Sequence, residues 1–252
     1  MKHGRLFLLS LLALVAVLSG CGADTDSANG ADGTAGSTSR FTIQRGFLIV
    51  SDSSMVKSFL IDSETGALYE ADSVYVNREI ETVFPYGADR VFLGTTTGTL
   101  IVHVGTEGYL TYETGVDHAR SCDPVIANGN TMYVTLSNGS GSCGGTEYDN
   151  HLMIYDITNL YAPTLRGLVA IDEPTGLALD GDNLFVCYAG GLKRFDVSGS
   201  WSAVETGDYA DLACNDIIID EEADYLTTDD GVLLVNLSDD TPVLLSTIRE
   251  GQ

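Results

Sequence analysis

Basic residues are scarce in this 252-residue chain: 12 Lys and Arg stand against 36 Asp and Glu, a formal net charge of -24. A surface so acidic repels nucleic-acid phosphates and anionic lipid headgroups, so neither is expected as a partner. Catalytic signatures are missing as well. There is no G-x-S-x-G nucleophile elbow, no H-E-x-x-H and no glycine-rich phosphate loop ending in Lys, and His103, His118 and His151 do not recur at equivalent positions. The chain is therefore read as a non-enzyme. Carboxylates are plentiful enough for a glycosidase-like pair, but their abundance does not mark one. Helical periodicity is also lacking from Arg40 onward.

What is present begins with an address. Lys2, His3 and Arg5 precede an apolar run from Leu6 to Leu18. That run is short of the roughly 18 to 20 residues a membrane span needs, and reads as a secretory signal over residues 1–20. Leu18-Ser19-Gly20-Cys21 resembles the lipobox of bacterial lipoproteins, which implies acylation at Cys21. Two or three acyl chains, at about 0.8 kcal/mol per CH₂, would hold the protein on a membrane. The expected location is extracytoplasmic, lipid-anchored at the outer membrane or cell surface. Signal removal takes Lys2 and Arg5 and no acid, leaving a net charge of -26. Residues 21–39 have no large apolar side chain after Cys21 and are expected to form a disordered tether.

The rest, residues 40–252, is a succession of short Val/Ile/Leu/Tyr/Thr runs bounded by Gly, Asp, Asn and Ser, the pattern of many strands. FLIVSD, VFLGTT, MYVTLS, LFVCYA and YLTTDD begin at Phe47, Val91, Met132, Leu184 and Tyr225, which are 44, 41, 52 and 41 residues apart. Removing about ten residues of the Gly/Ser-rich insert Ser137 to Tyr148 restores the period. Each unit divides into four strands, as at Thr175–Leu179, Leu184–Tyr188, Leu192–Val197 and Ala203–Thr206. The predicted fold is all-β, a β-propeller of five blades, each of four antiparallel strands. The chain starts with an innermost strand and ends with an outermost one. No strand exchange would then lock the ring, and closure would rest on side-chain packing.

The third-strand sequences LMIYDITN, LKRFDVSG and LLVNLSDD, with FLIDSETG in the first unit, resemble the LVIVD repeat of bacterial and archaeal cell-surface propellers and lipoproteins. Unit two departs from it, with IVHVG and no Asp. The resemblance implies a surface propeller and brings no catalytic residues. Asp62, Asp156 and Asp196 at these strand ends are expected to accept backbone N–H groups of the following turn.

Four cysteines remain after Cys21, an even number that favours disulfides in an exported chain. Propeller topology places Cys122 and Cys143 on one rim of blade 3, and Cys187 and Cys214 on the same rim of blades 4 and 5. The predicted pairs are Cys122–Cys143, which would pin the insert Asn138 to Asp149, and Cys187–Cys214. A zinc site of His118, Cys122, Cys143 and His151 is the less favoured use of two of these thiols. On the same rim, Glu81, Thr82, Asp123, Thr175 and Asp216 begin first strands and would ring the channel mouth. Such a ring has the oxygen chemistry for Ca²⁺, although a hydrated polar channel is the simpler reading and no cofactor is expected.

These features describe a monomeric, membrane-anchored binding module with a protein, peptide or glycan ligand. An aromatic patch among Tyr148, Tyr188, Trp201 and Tyr209 would favour that reading. A deep pocket of convergent carboxylates would favour the alternative, a hydrolase or lyase; a structural envelope component is the third. Thirteen acids between Glu205 and Gln252, against Arg249 alone, are read first as a means of solubility outside the cell, with attraction of divalent cations or a basic partner as the functional alternative.

Overall fold

The computed structural model describes residues 36–117, 124–137, 150–220 and 222–249. Cys21, His118, Cys122, Asp123, Cys143, Tyr148 and the insert Asn138 to Asp149 lie outside them, and with them the expected acylation site, the first disulfide and the zinc set. Twenty strands form five four-stranded antiparallel sheets, each in simple sequential order. Blade 1 is β1 (Phe41–Gln44), β2 (Phe47–Asp52), β3 (Met55–Ile61) and β4 (Leu68–Tyr75). Blade 2 is β5 (Ile80–Tyr86), β6 (Arg90–Thr95), β7 (Gly98–Val104) and β8 (Leu110–Asp117). Blade 3 is β9 (Val125–Asn128), β10 (Thr131–Leu136), β11 (His151–Asp156) and β12 (Thr164–Ala170). Blade 4 is β13 (Leu177–Asp180), β14 (Asn183–Tyr188), β15 (Gly191–Asp196) and β16 (Val204–Tyr209). Blade 5 is β17 (Asp216–Ile218), β18 (Asp224–Thr228), β19 (Gly231–Asn236) and β20 (Val243–Arg249). This is the predicted five-bladed propeller, with strand ends within three residues of those read from the turn signals.

The turns follow from their residues. Between β1 and β2, Arg45 and Gly46 both take positive φ (53° and 81°), the two-residue hairpin geometry that matches strand twist. At the third-strand ends, Asp62 Oδ1 accepts the N–H of Glu64 and of Thr65, each at 2.9 Å. Asp156 and Asp196 accept from Thr158 and Ser198, again at 2.9 Å, and Asn236 does the same for Ser238 at 3.0 Å in blade 5. The repeated acid is a turn-former, as its position suggested.

Apolar side chains pack between successive blades. Phe47, Ile49 and Val56 meet Val83, Leu93 and Val102 between blades 1 and 2. Phe92 and Ile101 meet Val134 and Met153 between blades 2 and 3, Leu152 and Ile154 meet Leu184 and Val186 between 3 and 4, and Phe185 and Leu192 meet Leu226 and Val235 between 4 and 5. Complete burial of one such side chain contributes about 1.5–3 kcal/mol. No corresponding cluster joins blade 5 to blade 1 among the described residues. The side-chain packing on which ring closure would have rested is absent there.

The difference is written along the second strands. β6, β10 and β14 are buried on both faces, whereas β2 alternates between buried and half-buried residues, and so does the first part of β18. A strand between two packed sheets buries both sides, and one at the end of a stack buries only one.

Candidate functional site

Of the expected mouth residues, Glu81 and Thr82 lie at an irregularity in the β5–β6 pairing, with Thr82 buried. Thr175 precedes β13, and its backbone carbonyl accepts the Thr135 hydroxyl at 2.7 Å. Asp216 opens β17 and is 7 % exposed. Its carboxylate faces the chain's own N-terminal segment. Oδ1 accepts the Ser37 hydroxyl at 3.0 Å, and Oδ2 accepts the Thr38 amide and hydroxyl at 3.2 and 2.5 Å. Ser37 Oγ in turn accepts the Leu177 N–H at 2.8 Å. A Cβ on Gly36 would come within 2.1 Å of Oδ2, and one on Gly176 within 2.4 Å of Oδ1, so glycine on both sides permits the close approach.

The same segment continues to blade 2, where Ser39 accepts the Val83 N–H at 2.7 Å, and into β1. Residues 36–39, read from composition as the end of the tether, thus fold across the first strands of blades 2, 4 and 5. Nothing in their composition marks this, because the partner of Ser37 lies 179 residues away. Asp216 is committed to that contact, and no group of three or more His, Cys, Asp or Glu able to hold a metal ion occurs among the described residues.

Cys187 and Cys214 form the predicted blade-to-blade disulfide on this rim, with Cα atoms 5.4 Å apart and both residues buried. Among the described residues, Tyr188, Trp201 and Tyr209 do not form one patch. Tyr188 donates to Asp208 at 2.6 Å beneath the Lys193 ammonium, and Tyr209 donates to the Asp240 carbonyl at 3.1 Å. Trp201 lies at the opposite rim, with the Arg166 guanidinium 4.8 Å from its ring centroid.

That opposite rim also holds a cavity of about 510 Å³ between blades 4 and 5, lined by Asp180, Asp220, Glu222, Asp224, Asn236 and Ser238 among others. Topology explains the convergence. β13 ends at Asp180, β18 begins at Asp224 and β19 ends at Asn236, while Asp220 and Glu222 lie on the β17–β18 connection. Asp180, Asp220 and Glu222 are exposed, and no ion pair engages any of the four acids among the described residues. Asp224 is buried and accepts the Leu237 N–H at 2.8 Å. Burial pushes its pKa up, and the nearby Asp180 and Asp220 charges add to the rise, against the backbone N–H groups that lower it. The size is that of a small-ligand or side-chain pocket. The sequence carried only a coarse signal for it, the acidic C-terminal fifth; the pairing of Asp180 with that region required the blades to be stacked.

Neither a protein-family model nor a curated relative matches the sequence, so the LVIVD likeness remains one of short strand sequences. Solved structures do match. A Lactobacillus plantarum protein superposes with a TM-score of 0.65 at 14 % identity, covering 81 % of this chain and 68 % of its own. The periplasmic gluconolactonase PpgL of Pseudomonas aeruginosa gives 0.59 at 10 %, covering 81 % and 69 %. BamB of Moraxella catarrhalis gives 0.52 at 12 %, covering 80 % and 62 %. At such identities the likeness is one of fold, that of a β-propeller, and each of these propeller chains extends beyond the part that matches.

Proposed function

We infer that the protein is an extracytoplasmic binding module, held to a membrane by acyl chains on Cys21, whose rim cavity receives basic groups of a protein or peptide partner. The observation that carries this reading is the cavity itself: four carboxylates from two blades face about 510 Å³ of open space with no neutralising base among the described residues. Uncompensated acids gathered at two strand ends and on the β17–β18 connection attract a Lys or Arg side chain. The export signal and lipobox-like Leu18-Ser19-Gly20-Cys21 support the location, as does the likeness of fold to a periplasmic propeller.

Titration calorimetry with an oligolysine peptide tests the site. The wild-type chain is expected to bind with an affinity that falls as salt rises, and Asp220→Asn with Glu222→Gln to weaken binding about tenfold, or about 1.4 kcal/mol. Equal binding by the double variant would remove the cavity from the account.

One observation favours a second reading. Burial, with the neighbouring Asp180 and Asp220 charges, raises the pKa of Asp224, the direction expected of a proton-donating carboxyl in this acidic cavity. Together with the named activity of the Pseudomonas propeller, it makes lactone hydrolysis the reaction to assay. Turnover lost in Asp220→Asn would establish it, and no turnover by the wild-type chain would discard it.

A further inference from the structure

Residues 36–40 touch blades 5, 4 and 2 before the chain enters β1, and at two of these junctions other contacts already hold the blades together. Blades 4 and 5 share the Cys187–Cys214 disulfide, the cluster around Phe185 and Leu226, and the Gly176 N–H donated to the Asn215 carbonyl at 2.8 Å. Blades 1 and 2 share the cluster around Ile49 and Leu93, and the Gln44 side-chain amide reaches the carbonyls of Tyr86, Gly87 and Arg90 at 3.2, 3.1 and 2.9 Å. Between blade 5 and blade 1 the described residues supply neither a packed cluster nor strand pairing. The segment 36–40 is what crosses there.

Its grip is built on the blade 5 side. The two carboxylate oxygens of buried Asp216 take the Ser37 hydroxyl and the amide and hydroxyl of Thr38, and Gly36 and Gly176 leave the room that a Cβ would fill. Ser37 fixes the segment a second time by accepting the Leu177 N–H. On the other side the hold reaches blade 1 through the chain itself and through Arg40, whose carbonyl accepts the amide and hydroxyl of Ser51 in β2 at 2.9 and 3.2 Å. From Thr38 to Phe41 the extended chain spans at most roughly 11 Å. The start of β1 is thereby kept about one sheet-packing distance, ~10 Å, from the point where blade 5 holds Thr38. Phe41 and Ile43 nevertheless remain 57 % and 58 % exposed, so packing adds nothing to this hold. Hydrogen bonds to a single carboxylate, with no large apolar side chain buried, can open locally while the four seams stay intact.

We propose that residues 36–38 are a releasable clasp that joins blade 1 to blade 5 at the inner strands and stands in place of a fifth seam. Asp216 is its catch, Ser37 and Thr38 are its hook, and Gly36 and Gly176 let the two meet. Closed, it limits how far the end blades separate. Open, it frees blade 1 to swing away from blade 5 on the blade 1–blade 2 seam.

The test measures paramagnetic distances in the full-length purified chain, with spin labels on unnatural side chains that leave the native cysteines untouched. One pair, Ile43 and Ile248, spans blades 1 and 5; the reference pair, Tyr112 and Val204, lies on the outer strands of blades 2 and 4, and all four positions are exposed. The wild-type chain is compared with Ser37→Ala plus Thr38→Ala, which removes the two hydroxyls, and with Asp216→Asn, which sets an amide donor among donors. The expected result in both is an Ile43–Ile248 distribution that broadens and moves outward by about 5 Å, one strand spacing, with Tyr112–Val204 unchanged. Where Asp216→Asn does not fold, the Ser37 and Thr38 variant decides. An unchanged Ile43–Ile248 distance, a shift inward, or equal broadening of both pairs overturns the proposal.

Discussion

At the residue scale, short side chains fix long-range order. Gly98, Gly191 and Gly231 open the third strands of blades 2, 4 and 5 with φ of 149°, 138° and 143°. A Cβ at these positions would fall 2.0–2.3 Å from a carbonyl oxygen of the neighbouring fourth strand. Gly231→Ala is accordingly expected to cost about 1–3 kcal/mol, read as a lower denaturation midpoint in urea with an unchanged m-value. Asp156 makes a different prediction. The Arg166 guanidinium, bound at 2.7 and 3.2 Å, and the Thr158 amide hold its carboxyl down at about 2. Because the folded pKa is depressed, the stability this contact supplies is present above the ordinary carboxylate range near 4 and lost as pH falls through about 2. An NMR titration should find its midpoint near 2, moving up toward 4 in Arg166→Ala. The turn role of Asp156 was legible from its repetition, whereas Arg166, ten residues on, became its partner only through pairing of β11 with β12. Asp216 was legible as a rim residue but not as the receiver of Ser37 and Thr38, since no local pattern links residues so far apart. Asp216→Ala removes three hydrogen bonds to that segment, and faster amide exchange at residues 37–40 is the expected signature.

At the scale of elements, the strands were the most legible part. Runs of β-branched and aromatic residues between Gly/Asp/Asn turns correspond to the observed elements because each strand is short and its turn chemistry is local. The Cys187–Cys214 pairing was legible one step further out, from the rule that the end of a second strand and the start of the next first strand share a rim. This bridge closes a 27-residue separation and fastens blade 5 to blade 4. Cys214→Ser is expected to destabilise the fold by about 2–4 kcal/mol, with the loss reproduced in the wild-type chain by reductant and absent from the variant on further reduction. Of the aromatics expected to form a patch, Tyr188 and Tyr209 sit at one end of blade 4 and Trp201 at the other, so these three do not come together. Alternation along β14 to β16 sorts side chains between faces but does not bring opposite strand ends together.

At the scale of the molecule, the repeat period counts five units but carries no information on curvature. Whether the fifth blade meets the first depends on the angle between packed sheets, which is set by side-chain volumes at every seam. The half-buried pattern of β2 and β18 and the exposure of Phe41, Ile43 and Ile248 place blades 1 and 5 at the ends of an open stack. Both the uncovered end faces and the binding role given to the rim follow from blades that are rigid and packed at four seams. The most direct measurement is a paramagnetic distance between spin labels at Ile43 and Ile248 in the purified chain. An open stack predicts roughly 20 Å or more, and a separation near the ~10 Å of packed sheets would show that blade 5 closes on blade 1.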